Sequence, residues 1–174
     1  MWDKAKVLSN IQKLTPRLRT AFAATCAARS LFMYLVWSKE SGWGNSERMQ
    51  KALELVWRYV EGELIDSHVL QSEAEAVYAL IPDTENLPSV SSSGALDAGL
   101  AVMYALQCAA TDSNSDHAAN AAEAAFVAFD IVRHNAGSTD TSLPDKERDC
   151  QEKTIQILLR WGERPITRKD LSCY

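Results

Sequence analysis

Glycine, proline, histidine and closely spaced cysteines are all scarce in this chain, and each shortage removes a class of protein. Seven Gly and five Pro in 174 residues are too few for the repeated tight turns of a β-sandwich or barrel. β-Branched runs are missing as well, while Ala dominates several stretches, so an all-α fold is expected. Cys26, Cys108, Cys150 and Cys173 are far apart and form no C-x-x-C. They read as reduced thiols rather than a disulfide frame or a zinc site. The three histidines are scattered, and neither H-E-x-x-H nor a Glu-x-x-His pair for a helical di-iron centre occurs. Asp116 and His117 are adjacent, so they point to different faces and make a poor ligand pair. Phosphate-loop and dinucleotide glycine fingerprints are missing, and no strained nucleophile turn is visible. No catalytic residue, metal or cofactor is therefore expected, and the chain is not read as an enzyme.

Long apolar runs are also rare. The first ten residues, MWDKAKVLSN, place no apolar core behind their lysines, so no signal peptide is expected and the location is read as cytoplasmic. Only residues 20–38, TAFAATCAARSLFMYLVWS, approach the length of a membrane span. Arg29 sits near the middle of that run, where insertion costs roughly 2.5–3.5 kcal/mol. A buried helix of a bundle is the better reading, with no membrane.

What the chain does have is a lopsided charge. Residues 1–60 hold ten Lys/Arg against four Asp/Glu, and residues 61–140 hold Arg133 alone against thirteen acids. Residues 141–174 are nearly balanced, seven against six, and the whole chain is −5. An acidic block of this length disfavours nucleic acid, whose phosphates need clustered Lys/Arg, and favours a basic protein partner. The basic first third also supplies charges that could pair with it inside the fold.

The length suits one domain, residues 1–174. Apolar residues recur at helical spacing in about seven segments. The first follows Asp3, with Val7, Leu8, Ile11 and Leu14. Thr15 and Pro16 suit the N-cap and first position of a second helix running to about Ser41. Its apolar positions include Leu18, Phe22, Phe32 and Val36. A third covers about 46–61, with Met49, Leu53, Val56 and Trp57 on one face. A fourth, capped by Asp66 or Ser67, carries Val69, Leu70, Ala74, Val77 and Leu80, and Pro82 ends it. The loop PDTENLPSVSSSG follows, and one of Ser91 to Ser93 caps the fifth helix, near 93–111. That helix carries no charge from Ala98 to Thr111 and should be central. Asp97 would lie in its first turn. The sixth, about 115–135, is two-faced, and Gly137 terminates it. STDTSLPDKERD reads as a flexible, exposed connection to a seventh helix near 144–160. Residues 167–171 add a last turn.

Three groups stand out as candidate sites. Gly42, Trp43 and Gly44 form a short joint between the second and third helices. Gly42 suits the left-handed residue that closes a helix, Asn45 or Ser46 caps the next, and Trp43 reads as an aromatic plug over the crossing. Arg29, charged within an apolar helix, needs a buried carboxylate, because an unpaired buried charge is costly. Asp97 is the first expected partner and Glu54 the second. On the sixth helix, Asp116, Glu123 and Asp130 are seven residues apart and form one strip. Asn120 and His134 lie on the same side, Asp112 extends it, and the alanines with Phe129 bury the other side. The strip is the expected docking surface.

Phe22, Arg29, Tyr34, then GWGN, LELVW, IPD and LDA resemble, in order and spacing over roughly residues 10 to 110, the YjaG-like family of uncharacterised bacterial proteins, classed as a domain of unknown function. The resemblance implies an all-helical fold and no assigned reaction. Ala28 stands where the family pattern has an acidic residue, and Phe32 where it has a proline shortly after the Arg. An acid–Arg site must therefore draw its acid from another helix here. The alanine-rich layout also looks like the all-helical immunity proteins that neutralise bacterial toxins. That likeness implies a non-enzymatic inhibitor whose acidic face meets a basic toxin domain, for example a nuclease. The alternative is a housekeeping helical protein with a regulatory or small-ligand role, and a homodimer is left open.

Overall fold

The computed structural model describes residues 2–85, 90–135, 142–162 and 164–171. Among them the chain forms seven α-helices and no strand: α1 Lys4–Ile11, α2 Pro16–Ser41, α3 Ser46–Val60, α4 Ser67–Tyr78, α5 Val90–Ala110, α6 Ser115–Asn135 and α7 Ser142–Leu159. A 3₁₀ turn, Arg168–Leu171, follows.

The local chemistry of the helix starts is plain. Asp3, Asn45 and Asp66 each accept a backbone N–H with the side chain, capping α1, α3 and α4. Thr15 precedes Pro16 without making such a bond. At the far end of α2, Gly42 adopts φ 68°, a left-handed conformation that only glycine takes without steric cost.

One hydrophobic core draws on every helix. α5 lies at its centre, packed against α2, α3, α4 and α6. Its alanines 95, 98, 101 and 105 are fully buried, as are Ala118, Ala121, Ala122, Ala125 and Ala128 of α6. Small side chains on both partners let the two backbones approach closely. The apolar window of α2 is 72% buried inside the bundle, as befits a core helix.

Several expectations need correction. α5 starts at Val90, not near 93, so Ser91 to Ser93 lie inside the helix rather than capping it, and Asp97 sits two turns in. Much of the expected connection is helical: α7 begins at Ser142, and Pro144, Glu147 and Cys150 are buried in it. Residues 138–141, Gly137, Cys173 and part of the 82–94 loop lie outside the described residues. Phe32, Val36 and Val69 belong to apolar stripes yet are about half exposed. The stripes of α2 and α4 are wider than the faces that pack, so their margins stay in water.

Candidate functional site

The joint between α2 and α3 is a small hydrogen-bonded corner. Ser38 Oγ donates to the Trp43 carbonyl at 2.7 Å, and the Trp43 amide donates to Ser41 Oγ at 3.2 Å. Gly44 has φ 78°, and a Cβ there would collide with Tyr34 Oη. That hydroxyl donates to the Leu80 carbonyl at 2.9 Å and accepts the Asn45 amide at 3.3 Å. Tyr34 thus binds α2 to the start of α3 and the end of α4. Burial pushes its phenol up from the ordinary value, against a smaller downward pull from the Asn45 bond. Trp43 is not the buried plug expected. Its ring lies 5.4 Å from that of Trp37, tilted 60°, and the residue stays 40% exposed. Ser38 and Ser41 hold the joint's backbone, so the ring covers the corner only from outside.

Arg29 is buried and ion-paired, but not with Asp97 or Glu54. Its Nε donates to Glu147 Oε2 at 2.6 Å and its Nη2 to Glu147 Oε1 at 2.8 Å, a two-pronged clasp between α2 and α7. The two side chains are 8% and 1% exposed. Gln151, one turn further along α7, donates through Nε2 to Glu147 Oε1 at 2.8 Å and to the Ala122 carbonyl of α6 at 2.9 Å. Trp2 Nε1 donates to Gln151 Oε1 at 2.8 Å, and the Trp2 ring stacks on Phe126. One polar chain therefore joins the amino-terminal segment, α7, α6 and α2. Glu54 instead lies exposed on α3, 3.7 Å from Arg168. Asp97 forms no ion pair among the described residues, and burial alone raises its carboxyl from 3.8 to about 6. Glu147 was missed because it falls where the polar run expected to be exposed overlaps the start of the expected seventh helix, and no buried charge was looked for there. Glu147, Gln151, Thr154 and Leu158 nevertheless recur at helical spacing, and all are buried. Accepting polar residues on a buried face would have found them.

The α6 strip is only partly open. Asp116 and His134 are exposed, while Asn120, Glu123 and Asp130 are half-buried. Lys4 of α1 meets Glu123 at 2.6 Å, and Arg133 meets Asp130 at 2.7 Å. His134 Nδ1 is 3.5 Å from Asp130. At the other end, Asp112 and Asp116 have no ion-pair partner among the described residues. Asp112 and Ser113 take positive φ, 48° and 60°, and this turn leaves Asp112 exposed while Ser113 is buried against Thr20 at 2.8 Å. The strip is thus a free acidic end and a neutralised middle. Phe129, expected on the buried side, is half-buried, with its ring 6.1 Å from that of half-exposed Phe32.

Trp57 is buried as expected, with no hydrogen-bond partner for its indole nitrogen among the described residues. Cys108 is buried beside Thr20, and burial pushes its thiol up to about 11, which makes it inert as a nucleophile at neutral pH. Burial lowers the His117 imidazole, which stacks on Tyr104. No group of three His, Cys, Asp or Glu able to hold a metal occurs among the described residues. A cleft of about 560 Å³ on the outer face of α3 is lined largely by charged side chains that already have ion-pair partners. Arg48 bonds Glu73 through two nitrogens, and Lys51 bonds Glu47.

These features define a single-domain all-α bundle with an internal ion pair and a charged surface. The chain belongs to the DUF416 family, proteins of unknown function, whose model matches residues 6–160. The fold is also that of a crystal structure of a DUF416 family protein from Shewanella baltica OS155, at TM-score 0.73 and 18% identity, covering 94% of this chain and 88% of that one. No curated protein matches the chain in sequence.

Proposed function

We propose that this protein is a non-enzymatic, cytoplasmic binding protein, YjaG-like within its family, that neutralises a basic toxin domain in the manner of an immunity protein. The supporting observation is the acidic end of α6. Asp112 and Asp116 are exposed, close in sequence and without a basic partner among the described residues. Glu123 and Asp130 continue the strip, Glu123 with an exchangeable partner. Lys4 and Glu123 are both more than 40% exposed, and such surface pairs contribute only about 0–1 kcal/mol. A partner's Lys or Arg can therefore displace Lys4 at little cost. Complementary charge of this kind mainly speeds encounter and weakens with salt.

The test compares wild type with Asp112→Lys/Asp116→Lys and with Glu123→Lys/Asp130→Lys. The readouts are a pull-down from the source cell and protection against the product of a neighbouring toxin gene. Both reversals should slow association at low salt with little change in melting temperature. Equal capture by all three proteins at low and high salt refutes the docking role. A second reading, a small-ligand regulatory protein, draws on the cleft described next.

A further inference from the structure

Most arginines of this chain have a carboxylate or several carbonyls against them. Arg48 has Glu73, Arg58 has Glu63, Arg148 has Asp145 and Arg168 has Glu54. Arg19 donates to the carbonyls of Ile11, Gln12 and Ser113. Arg17, Arg160 and Arg164 differ. None has an ion-pair partner among the described residues, and Arg17 and Arg164 line one cleft of about 510 Å³ between the start of α2, the end of α3 and the carboxy-terminal segment.

One guanidinium is held in place and the other is exposed above the cleft. Arg17 reaches over Gly62, where an added Cβ would lie 3.7 Å from its Nη1. Arg164 is stacked over the Trp161 ring at 4.6 Å, and its Nε donates to the Trp161 carbonyl at 3.1 Å. No described residue takes a hydrogen bond from its two terminal nitrogens. Trp161 Nε1 closes the loop by donating to the carbonyls of Arg164 and Pro165 at 3.2 and 3.4 Å. Asp170 is close enough to feel Arg164, but its carboxyl is held down chiefly by its bonds to Thr167. The rest of the cleft is mixed. Leu18 and Ile166 give it an apolar floor, Tyr59 a flat wall, and Glu61 a rim carboxylate that accepts the Arg168 amide at 3.2 Å.

We propose that this cleft binds a small organic anion, with an oxyanion head between Arg17 and Arg164 and an apolar or aromatic body against Leu18, Tyr59 and Ile166. Guanidinium forks match carboxylate and phosphate oxygens geometrically. The stacked Arg164 loses little side-chain freedom on binding. The site is remote in sequence from the α6 strip and stands independently of the docking role.

The experiment uses the intact chain and the five tryptophan indole N–H signals in a ¹H–¹⁵N spectrum, with Trp161 assigned through Trp161→Phe. Benzoate, phenyl phosphate and inorganic phosphate are titrated into the millimolar range at constant ionic strength, with chloride as reference. The site predicts saturable movement of the Trp161 signal with benzoate or phenyl phosphate, and the stronger of these two identifies the head group. Inorganic phosphate should bind more weakly because it lacks a body. Arg17→Gln and Arg164→Gln should each weaken binding roughly tenfold or more, with unchanged circular dichroism and melting without ligand. The proposal fails if no organic anion gives a saturable shift, if chloride gives the same shift, or if both variants bind as wild type does.

Discussion

Replacing Glu147 by Gln would keep the shape of the α2–α7 clasp while removing its negative charge. The Arg29 guanidinium would then remain almost fully buried, facing a neutral amide. Breaking one side of a buried pair costs about 3–5 kcal/mol, because the surviving charge is left uncompensated. Glu147 also accepts from Gln151, but Gln keeps an oxygen there, so that bond can persist and the loss falls on Arg29. For a domain of this size each kcal/mol moves the melting temperature about 2–4 °C, so the expected drop is about 6–20 °C. Arg29→Met, which leaves the Glu147 carboxylate buried, should be similarly harmful. The double variant Arg29→Met/Glu147→Met should be far milder than the sum, since an apolar pair needs no counter-charge, and the coupling should exceed about 1.5 kcal/mol. Urea unfolding followed by circular dichroism measures all four proteins. A Glu147→Gln cost below about 1 kcal/mol is the range of exposed pairs. It would mean that the guanidinium is hydrated and that the buried clasp is misjudged.

Two further outcomes follow from the joint and from α5. Gly42 and Gly44 both have positive φ, but a Cβ at Gly42 meets nothing within 4 Å, whereas one at Gly44 collides with Tyr34 Oη. Gly42→Ala should therefore cost only the left-handed strain, about 1–2 kcal/mol, and Gly44→Ala distinctly more; equal costs in urea unfolding would refute the close approach. Asp97 has its carboxyl raised from 3.8 to about 6 by burial, so the folded state holds its proton more tightly. Its contribution is then fully present below pH 3.8 and lost as pH rises through about 6. Asp97→Asn should stabilise the protein at pH 7 by roughly 1–2 kcal/mol, allowing for the group's partial exposure, and the gain should vanish near pH 4. A gain independent of pH would rule out the titration.

The helices were readable because their signals are local. Apolar spacing marks α2, α3 and α6. Asp3, Asn45 and Asp66 announce their helices by a side chain that reaches two or three residues, and Gly42 announces an end by its conformation. The partner of Arg29 was not readable, because it lies 118 residues away on a helix whose buried face carries Glu, Gln and Thr. Periodicity of apolar residues cannot see such a face. The same blindness ran the other way for Phe32, Val36 and Val69, which keep the rhythm of a core stripe while standing at its edge. On α6 the order of the acids was readable, as was the general expectation that the basic first third could pair with them, but which base meets which acid was not, because Lys4 reaches Glu123 from α1 by tertiary packing.

The hydroxyl of Tyr34 ties two positions into a single inherited choice. Gly44 leaves the space that the hydroxyl occupies, and the hydroxyl answers a donor at Asn45 and an acceptor at Leu80. A chain that acquires a side chain at 44 first must expel the ring, and one that loses the hydroxyl first strands both backbone groups. Drift at either position is therefore conditional on the other.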